Sequence, residues 1–209
     1  MMDYHSCTLC PRRCGVDRTK TRGYCQSGTL PKAARAALHF WEEPCISGET
    51  GSGTVFFSGC TLKCVFCQNY QLSHENFGRE ITVSHLADIF LRLQEQGAAN
   101  INLVTATHYL PSVLEALDLA RPQLNIPIVY NCGGYEQPET ILALEGYIDI
   151  YLPDLKYYDP VLSEKYSGAK DYFTYASRTI QEMIRQTGNH QWSDENSALL
   201  TKGVILRHM

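Results

Sequence analysis

The sequence predicts an α/β fold, a partial parallel barrel of five strands alternating with helices, with a small Cys-rich extension ahead of it. Short apolar, β-branched runs alternate along the chain with amphipathic helical segments, and such alternation makes right-handed crossovers and a parallel sheet. Each run ends in unexpectedly polar residues, and the first delivers a loop with three cysteines. Site residues of parallel α/β folds gather at the carboxyl ends of the strands. The expected organisation is a Cys-rich extension over residues 1–50 and a barrel over 51–209.

Taken in order, PKAARAAL (residues 31–38) reads as a short helix with Pro31 in its first turn, and the Gly/Ser-rich ISGETGSG behind it marks the boundary. TVFF (54–57) is the first strand. Leu86, Ile89, Phe90 and Leu93 have helical spacing, with Ser84 as N-cap and Gly97 just past the end. A strand follows at 101–104, then a helix opened by Pro111, a strand at 126–130, and a helix opened by Pro138 and ended by Gly146. A fourth strand spans 148–152, with Asp159–Pro160 capping the next helix. A longer helix places Ala176, Ile180, Met183 and Ile184 on one face and runs to Gly188, and a fifth strand is centred on 204–206.

A chain of 209 residues with 44% hydrophobic and 19% charged residues is long enough to bury a core and too apolar to be disordered. The net charge of −4, with no Lys/Arg-rich run beyond Arg12–Arg13, gives no electrostatic footprint for nucleic acid or an anionic membrane. No apolar run reaches the ~20 residues that a bilayer span needs, and the first residues lack the apolar stretch of a secretory signal, so a cytoplasmic protein is expected. Nine cysteines in a reducing compartment argue for metal or cluster ligation over disulfides.

The stretch that carries the chemistry is SGCTLKCVFCQN, in which Cys60, Cys64 and Cys67 follow the first strand at Cys-x3-Cys-x2-Cys spacing. Three thiolates are one short of the four that structural zinc prefers, whereas an iron–sulfur cluster held by three cysteines keeps one iron open. A separate set, Cys7, Cys10, Cys14 and Cys25, lies among Gly, Pro and basic residues with almost no apolar periodicity, as in a knuckle shaped by a metal. Zinc fits the count of four, and an iron–sulfur centre fits the spacing; free structural thiols are the blander reading. His39, Trp41, Glu42, Glu43 and Cys45 are read as packing and loop residues, because no ligand spacing links them. Polar residues end three further strands: Thr105-Ala106-Thr107-His108, Asn131-Cys132-Gly133-Gly134-Tyr135, and Asp154-Leu155-Lys156. Facing one mouth, they offer the donors, acceptors and opposite charges that a zwitterionic cofactor requires.

The three-cysteine motif, with Phe66 before its last cysteine, resembles that of the radical S-adenosylmethionine (SAM) superfamily. Together with NLVTATHY, VYNCGGYE and DIYLPDLKY, it resembles, over essentially the whole chain, the branch related to the pyruvate formate-lyase activating enzyme. The resemblance implies a [4Fe–4S] cluster on Cys60, Cys64 and Cys67 whose open iron chelates SAM, and a one-electron donor such as flavodoxin or ferredoxin. It also implies a 5′-deoxyadenosyl radical that abstracts hydrogen, with a glycyl-radical protein as the nearest analogy for the substrate. Phe66 would border the adenine, Asn131 would contact SAM, and Asp154 and Lys156 match an Asp-x-Lys whose lysine helps to hold it. The family's Gly-Gly-Glu is replaced here by Thr105, Ala106, Thr107 and His108, so that role carries over by position alone, and Cys132 has no catalytic part. The relatives have six barrel strands, which leads to the expectation of a shortened barrel of the (β/α)6 type that lacks its last strand, catalytically impaired, with an open edge beside residues 203–208. The rival reading is a non-enzymatic zinc module. Replacing Cys60, Cys64 and Cys67 together by Ala should abolish the cluster and SAM cleavage and lower bound iron below the wild-type content, as iron and sulfide analysis after anaerobic purification would show.

Overall fold

The computed structural model describes residues 4–193 and 199–208. In chain order its elements are β1 (Lys32–His39), α1 (Pro44–Ser47), β2 (Ser52–Phe57), α2 (Tyr70–Ser73), β3 (Arg79–Glu80), α3 (Val83–Glu95), β4 (Ile101–Val104) and α4 (Leu110–Ala120). There follow β5 (Ile128–Cys132), α5 (Pro138–Leu142), β6 (Ile150–Leu155), α6 (Pro160–Ser167), α7 (Tyr172–Thr187), β7 (Gln191–Trp192), β8 (Leu200–Val204) and β9 (Arg207–His208). The sheet order is β3-β1-β2-β4-β5-β6-β8-β7, and β2, β4, β5, β6 and β8 pair parallel. The expected mostly parallel α/β sheet is therefore present, with β4 falling on the residues predicted for it.

Alternation along the strands sorts side chains onto two faces. Val55, Phe57, Ile101, Leu103, Ile128, Tyr130, Cys132 and Tyr151 form the outer face and pack against α3, α4, Ile141 of α5 and Met183 of α7. On the inner face Val129, Ile150 and Leu152 pack with Ile46 of α1 and Leu200 of β8. Toward the carboxyl ends the inner face turns polar, at Asn102, Asn131 and Asp154, and that change positions the site.

Several expected elements change. Residues 32–39 form a strand, not a helix: Ala33 pairs with Phe57 and His39 with Ser52 in an antiparallel ladder that continues the sheet past β2. Helix propensity differs among these residues by only tenths of a kcal/mol, less than the ladder and the packing of Ala33 and Leu38 on the core contribute. The N-cap of α3 is Thr82, whose hydroxyl accepts from His85 N at 3.1 Å, so Ser84 sits two residues further on, inside the first turn. On α7, Ala176, Ile180 and Met183 are buried, but Ile184 is half exposed on the flank of that face. The predicted last strand begins earlier, at Leu200, and divides: Gly203 and Val204 pair with Ile150 and Tyr151, whereas Arg207 and His208 form a separate bridge to Asp154 and Leu155. Its outer edge is bordered antiparallel by Gln191 and Trp192. Among the described residues no helix is long and apolar enough to cross a membrane.

Phe90, fully buried between α3 and the outer face, should be among the most costly core truncations. Phe90→Ala is expected to lower unfolding free energy by about 3–5 kcal/mol, read from the midpoint of urea denaturation.

Candidate functional site

The loop of Cys60, Cys64 and Cys67 leaves the carboxyl end of β2, where Gly59 has φ 85°. A Cβ there would stand 2.5 Å from the Cys25 carbonyl oxygen and 2.6 Å from Ser27 Oγ, so glycine is required both by the backbone and by the close approach of the amino-terminal segment. Lys63 inside the loop is also left-handed, at φ 55°. Cys64 is buried, and Cys60 and Cys67 are partly so. Burial pushes the Cys60 thiol up to about 11, and the neighbouring Cys64 and Cys67 push in the same direction. Opposing this are the Leu62 N–H, 3.4 Å from Cys60 Sγ, and at Cys64 the Ser167 hydroxyl at 2.9 Å and the Lys156 charge. As the side chains stand, no three His, Cys, Asp or Glu groups among the described residues converge to hold a metal ion. The donor set nevertheless fits a cluster: three sulfurs on one short loop, with the Leu62 N–H, the Ser167 hydroxyl and the Lys156 charge placed to favour sulfur that carries negative charge, and no fourth protein ligand among them.

The ends of β5 and β6 adjoin this loop. A Cβ on Gly133 would meet Leu62 Cδ1 at 3.0 Å and Lys156 Cε at 3.9 Å, so the cysteine loop and the residue after β6 both lie beside the turn after β5. Gly134, at φ 78°, lies so close to the Asp154 carbonyl that a Cβ would come within 2.1 Å of its oxygen. Lys156 Nζ donates to Asp154 Oδ2 at 2.6 Å, both side chains being only 12–13% exposed. Phe66 is partly exposed on the rim, its ring edge-on to Tyr157.

A polar network continues onto the inner face. Arg207 donates from Nε to Asp154 Oδ1 at 2.8 Å and from Nη2 to Asn131 Oδ1 at 2.7 Å, and its Nη1 lies 3.4 Å from Glu42 Oε1. Glu42 Oε2 accepts from Asn102 Nδ2 at 2.8 Å and Asn131 Nδ2 at 3.0 Å. The Asn102 Oδ1 atom, fully buried, is without a hydrogen-bond partner. Asn131, Asp154 and Lys156 are thus brought together as the sequence suggested. Glu42, read from the sequence as a packing residue, and Arg207, not singled out at all, complete the group. The sequence signal for Glu42 is weak, a carboxylate just ahead of Pro44 and the buried Ile46; Arg207 carries none.

The residues after β4 divide. Thr105 keeps φ 61°, a left-handed conformation costly for a β-branched residue, while its N–H donates to Asn131 O at 2.9 Å. Thr107 and His108 enter a 3-10 turn (Thr107–Tyr109) and are buried. Thr107 Oγ1 donates to Glu136 Oε1 at 2.9 Å, and the Tyr130 hydroxyl lies 3.1 Å from Thr107 Oγ1 and 3.3 Å from Glu136 Oε2. Because the Tyr130 ring belongs to the outer-face core, this network stands on the opposite side of the sheet from Asn131. His108 Nε2 donates to Ser58 O at 2.8 Å, and Arg18 donates to the His108 carbonyl, which holds the turn beneath the amino-terminal segment. Burial lowers His108 to about 3, so its ring is neutral.

Among the amino-terminal thiols, Cys7, Cys10 and Cys25 are buried and Cys14 is exposed. Val16 O and Cys7 O accept from Cys7 N and Gly15 N, which folds residues 7–16 into a closed loop. Burial pushes Cys10 up to about 12, with Cys25 and Cys7 adding to it. Cys132 is buried, and burial raises its thiol well above the usual range.

Burial raises Glu136 to about 8, opposed by its hydrogen bonds to Thr107 and Tyr130. Its folded pKa lies above the unfolded value, so the folded state binds the extra proton and stability falls as pH rises toward 8. Folded His108 is neutral and unfolded His108 is half protonated at its ordinary value of 6.5, so this residue opposes the Glu136 slope near pH 6.5 and ceases to do so about one unit higher. Between pH 6.5 and 8 the wild type should lose up to about 1.4 kcal/mol per pH unit from this group. Glu136→Gln should flatten that slope in urea unfolding measured across the window.

Residues 54–197 match the radical SAM superfamily. The chain is also 32% identical over 184 residues to the uncharacterized protein MJ0674 of Methanocaldococcus jannaschii, an alignment covering 84% of this chain and 52% of that protein. The chain therefore spans about half the length of that curated relative. With the parallel sheet, the three-cysteine loop at the carboxyl end of β2 and a family match over most of its length, the chain belongs to the radical SAM superfamily.

Proposed function

We propose that this chain is an enzyme that cleaves SAM reductively on a [4Fe–4S] cluster held by Cys60, Cys64 and Cys67, in the manner of activating enzymes. The observation that carries this reading is the packing of Leu62 of the cysteine loop against Gly133, with Lys156 near the same glycine and its charge acting on Cys64, which sets a three-thiol loop beside an ion-paired lysine at the strand ends. The cluster and SAM, when bound, supply the one-electron cleavage that yields methionine and the 5′-deoxyadenosyl radical.

The protein's residues bind and orient. Lys156 faces the carboxylate or ribose of SAM, Asp154, Asn131 and Glu42 offer acceptors to its ammonium, and Phe66 on the rim borders the adenine. Thr105, whose strained backbone is tied to Asn131, shapes that wall, whereas Thr107 and His108 support it from behind. Val65, Phe66 and Tyr70, exposed around the loop, suit the approach of a one-electron donor such as flavodoxin or ferredoxin. A glycyl-radical-type protein is the substrate that the resemblance to activating enzymes favours. Cys7, Cys10, Cys14 and Cys25 form a second metal site, zinc or iron–sulfur, in this reading.

Anaerobically purified protein should be brown, contain iron and sulfide, and release 5′-deoxyadenosine and methionine from SAM on reduction; colourless protein with zinc alone would overturn the reading. Lys156→Ala should weaken SAM binding about 10–100-fold, the worth of a charged hydrogen bond of about 1.5–3 kcal/mol, with cluster content unchanged. Equilibrium titration of SAM against the reconstituted variant checks it.

A further inference from the structure

Ser167 ends α6 far from the cysteine motif in sequence, yet its side chain is buried against it. Ser167 Oγ lies 2.9 Å from Cys64 Sγ, across 103 residues of chain. The residue is 2% exposed, so water does not compete for the contact. The Tyr157 hydroxyl lies 2.7 Å from the same oxygen. A ligating Cys64 is a thiolate and accepts only. The single Ser167 proton must then point at sulfur, and the Tyr157 proton at Ser167 Oγ, which makes a directed relay Tyr157 to Ser167 to Cys64.

Two other contacts hold this relay in place. Arg12 donates from Nη2 to the Ser167 carbonyl at 3.1 Å, from Nη1 to Gly168 O, and from Nε to Thr61 O at 2.9 Å, between Cys60 and Cys64. Val65 N donates to Tyr166 O at 2.9 Å. The end of α6 and the cysteine loop are thus fixed to each other at both backbone and side-chain level.

We infer that Ser167 is a positioning residue that tunes the cluster, its hydroxyl donating to the Cys64 sulfur and being aimed there by Tyr157. A hydrogen bond to a ligating sulfur withdraws charge from it and stabilises the reduced cluster, which carries one more negative charge, so the bond raises the reduction potential. The consequence is ease of reduction by the electron donor. This inference rests on the proposed cluster at Cys60, Cys64 and Cys67.

The test is a redox titration of anaerobically reconstituted full-length protein, followed by electron paramagnetic resonance, for wild type, Ser167→Ala and Tyr157→Phe. Ser167→Ala should keep the wild-type iron content and shift the midpoint to a more negative potential. Tyr157→Phe, which leaves the Ser167 donor present but unaimed, should shift it the same way by less. An unchanged midpoint in Ser167→Ala at full iron content overturns the inference while leaving the cluster assignment standing. If Ser167→Ala fails to hold a cluster, Tyr157→Phe decides: a negative shift supports the relay and a wild-type midpoint refutes it. A wild-type protein that takes up no four-iron cluster refutes instead the assignment on which the inference rests.

Discussion

Two carboxylates and two cations, Glu42, Asp154, Lys156 and Arg207, meet with little exposure at the carboxyl ends of a parallel sheet, and the site's architecture follows from keeping them paired. Removing charge from water costs several kcal/mol per ion, and breaking a buried pair by deleting one partner costs about 3–5 kcal/mol. The arrangement meets that cost with balanced charge and directed donors: each carboxylate oxygen of Glu42 and Asp154 faces at least one N–H donor. Because these groups come from the segment before α1, from the end of β6 and from β9, satisfying them fixes three separate pieces of chain around one polar cluster. Asn102 adds the asymmetry that a binding surface needs. Its amide nitrogen must face Glu42, since an oxygen there would be repelled, and its own oxygen is left facing the inner side unpartnered.

What the sequence makes legible is what short-range pattern controls. The strand at 101–104 is bounded by Gly97 behind it and a polar end ahead, and it appears on those residues. Asp159 caps α6 as its Asp-Pro pair implies, accepting from Val161 N and Leu162 N. Residues 32–39 show the limit: alanines favour a helix locally, but the exposed edge of β2 offers a ladder, and that preference is visible only when residues 52–57 are brought alongside. Arg207 lies beyond reach for the same reason. It meets Asp154 through strand register across 53 residues. Glu42 was readable as a residue but not as a site member, since its partners Asn102 and Asn131 stand on two different strands.

Orientation is harder to read than position. Thr105, Thr107 and His108 follow the same strand, and all were expected at one mouth. The left-handed turn at Thr105 and the 3-10 turn after it rotate the following side chains behind the sheet, where Thr107 joins Tyr130 and Glu136. Burial favours the neutral, protonated form of Glu136, and the Thr107 and Tyr130 hydroxyls hydrogen-bond its carboxyl oxygens, which explains how a carboxyl group is tolerated in an apolar core. The polar character that marked these residues in the sequence is real. It serves the rear wall of the site.

The amino-terminal segment and the cysteine loop depend on each other more closely than a separate extension would. Gly59 admits the Cys25 carbonyl, Tyr24 donates to Leu62 O at 3.1 Å, and Arg12 reaches Thr61 O, so the first half of the loop is held by contacts from the amino-terminal segment. On the other side, Thr140 donates to Leu9 O at 2.7 Å, and Arg18 donates to the carbonyls of Ser27, Gly28 and His108. Most of these bonds end on backbone carbonyls of irregular segments, groups that must be paired when buried. Side chains of the first cysteine-rich segment therefore satisfy backbone carbonyls of the second, while Thr140 and Arg18 satisfy carbonyls of the first, and these bonds fix the two segments against each other and the barrel.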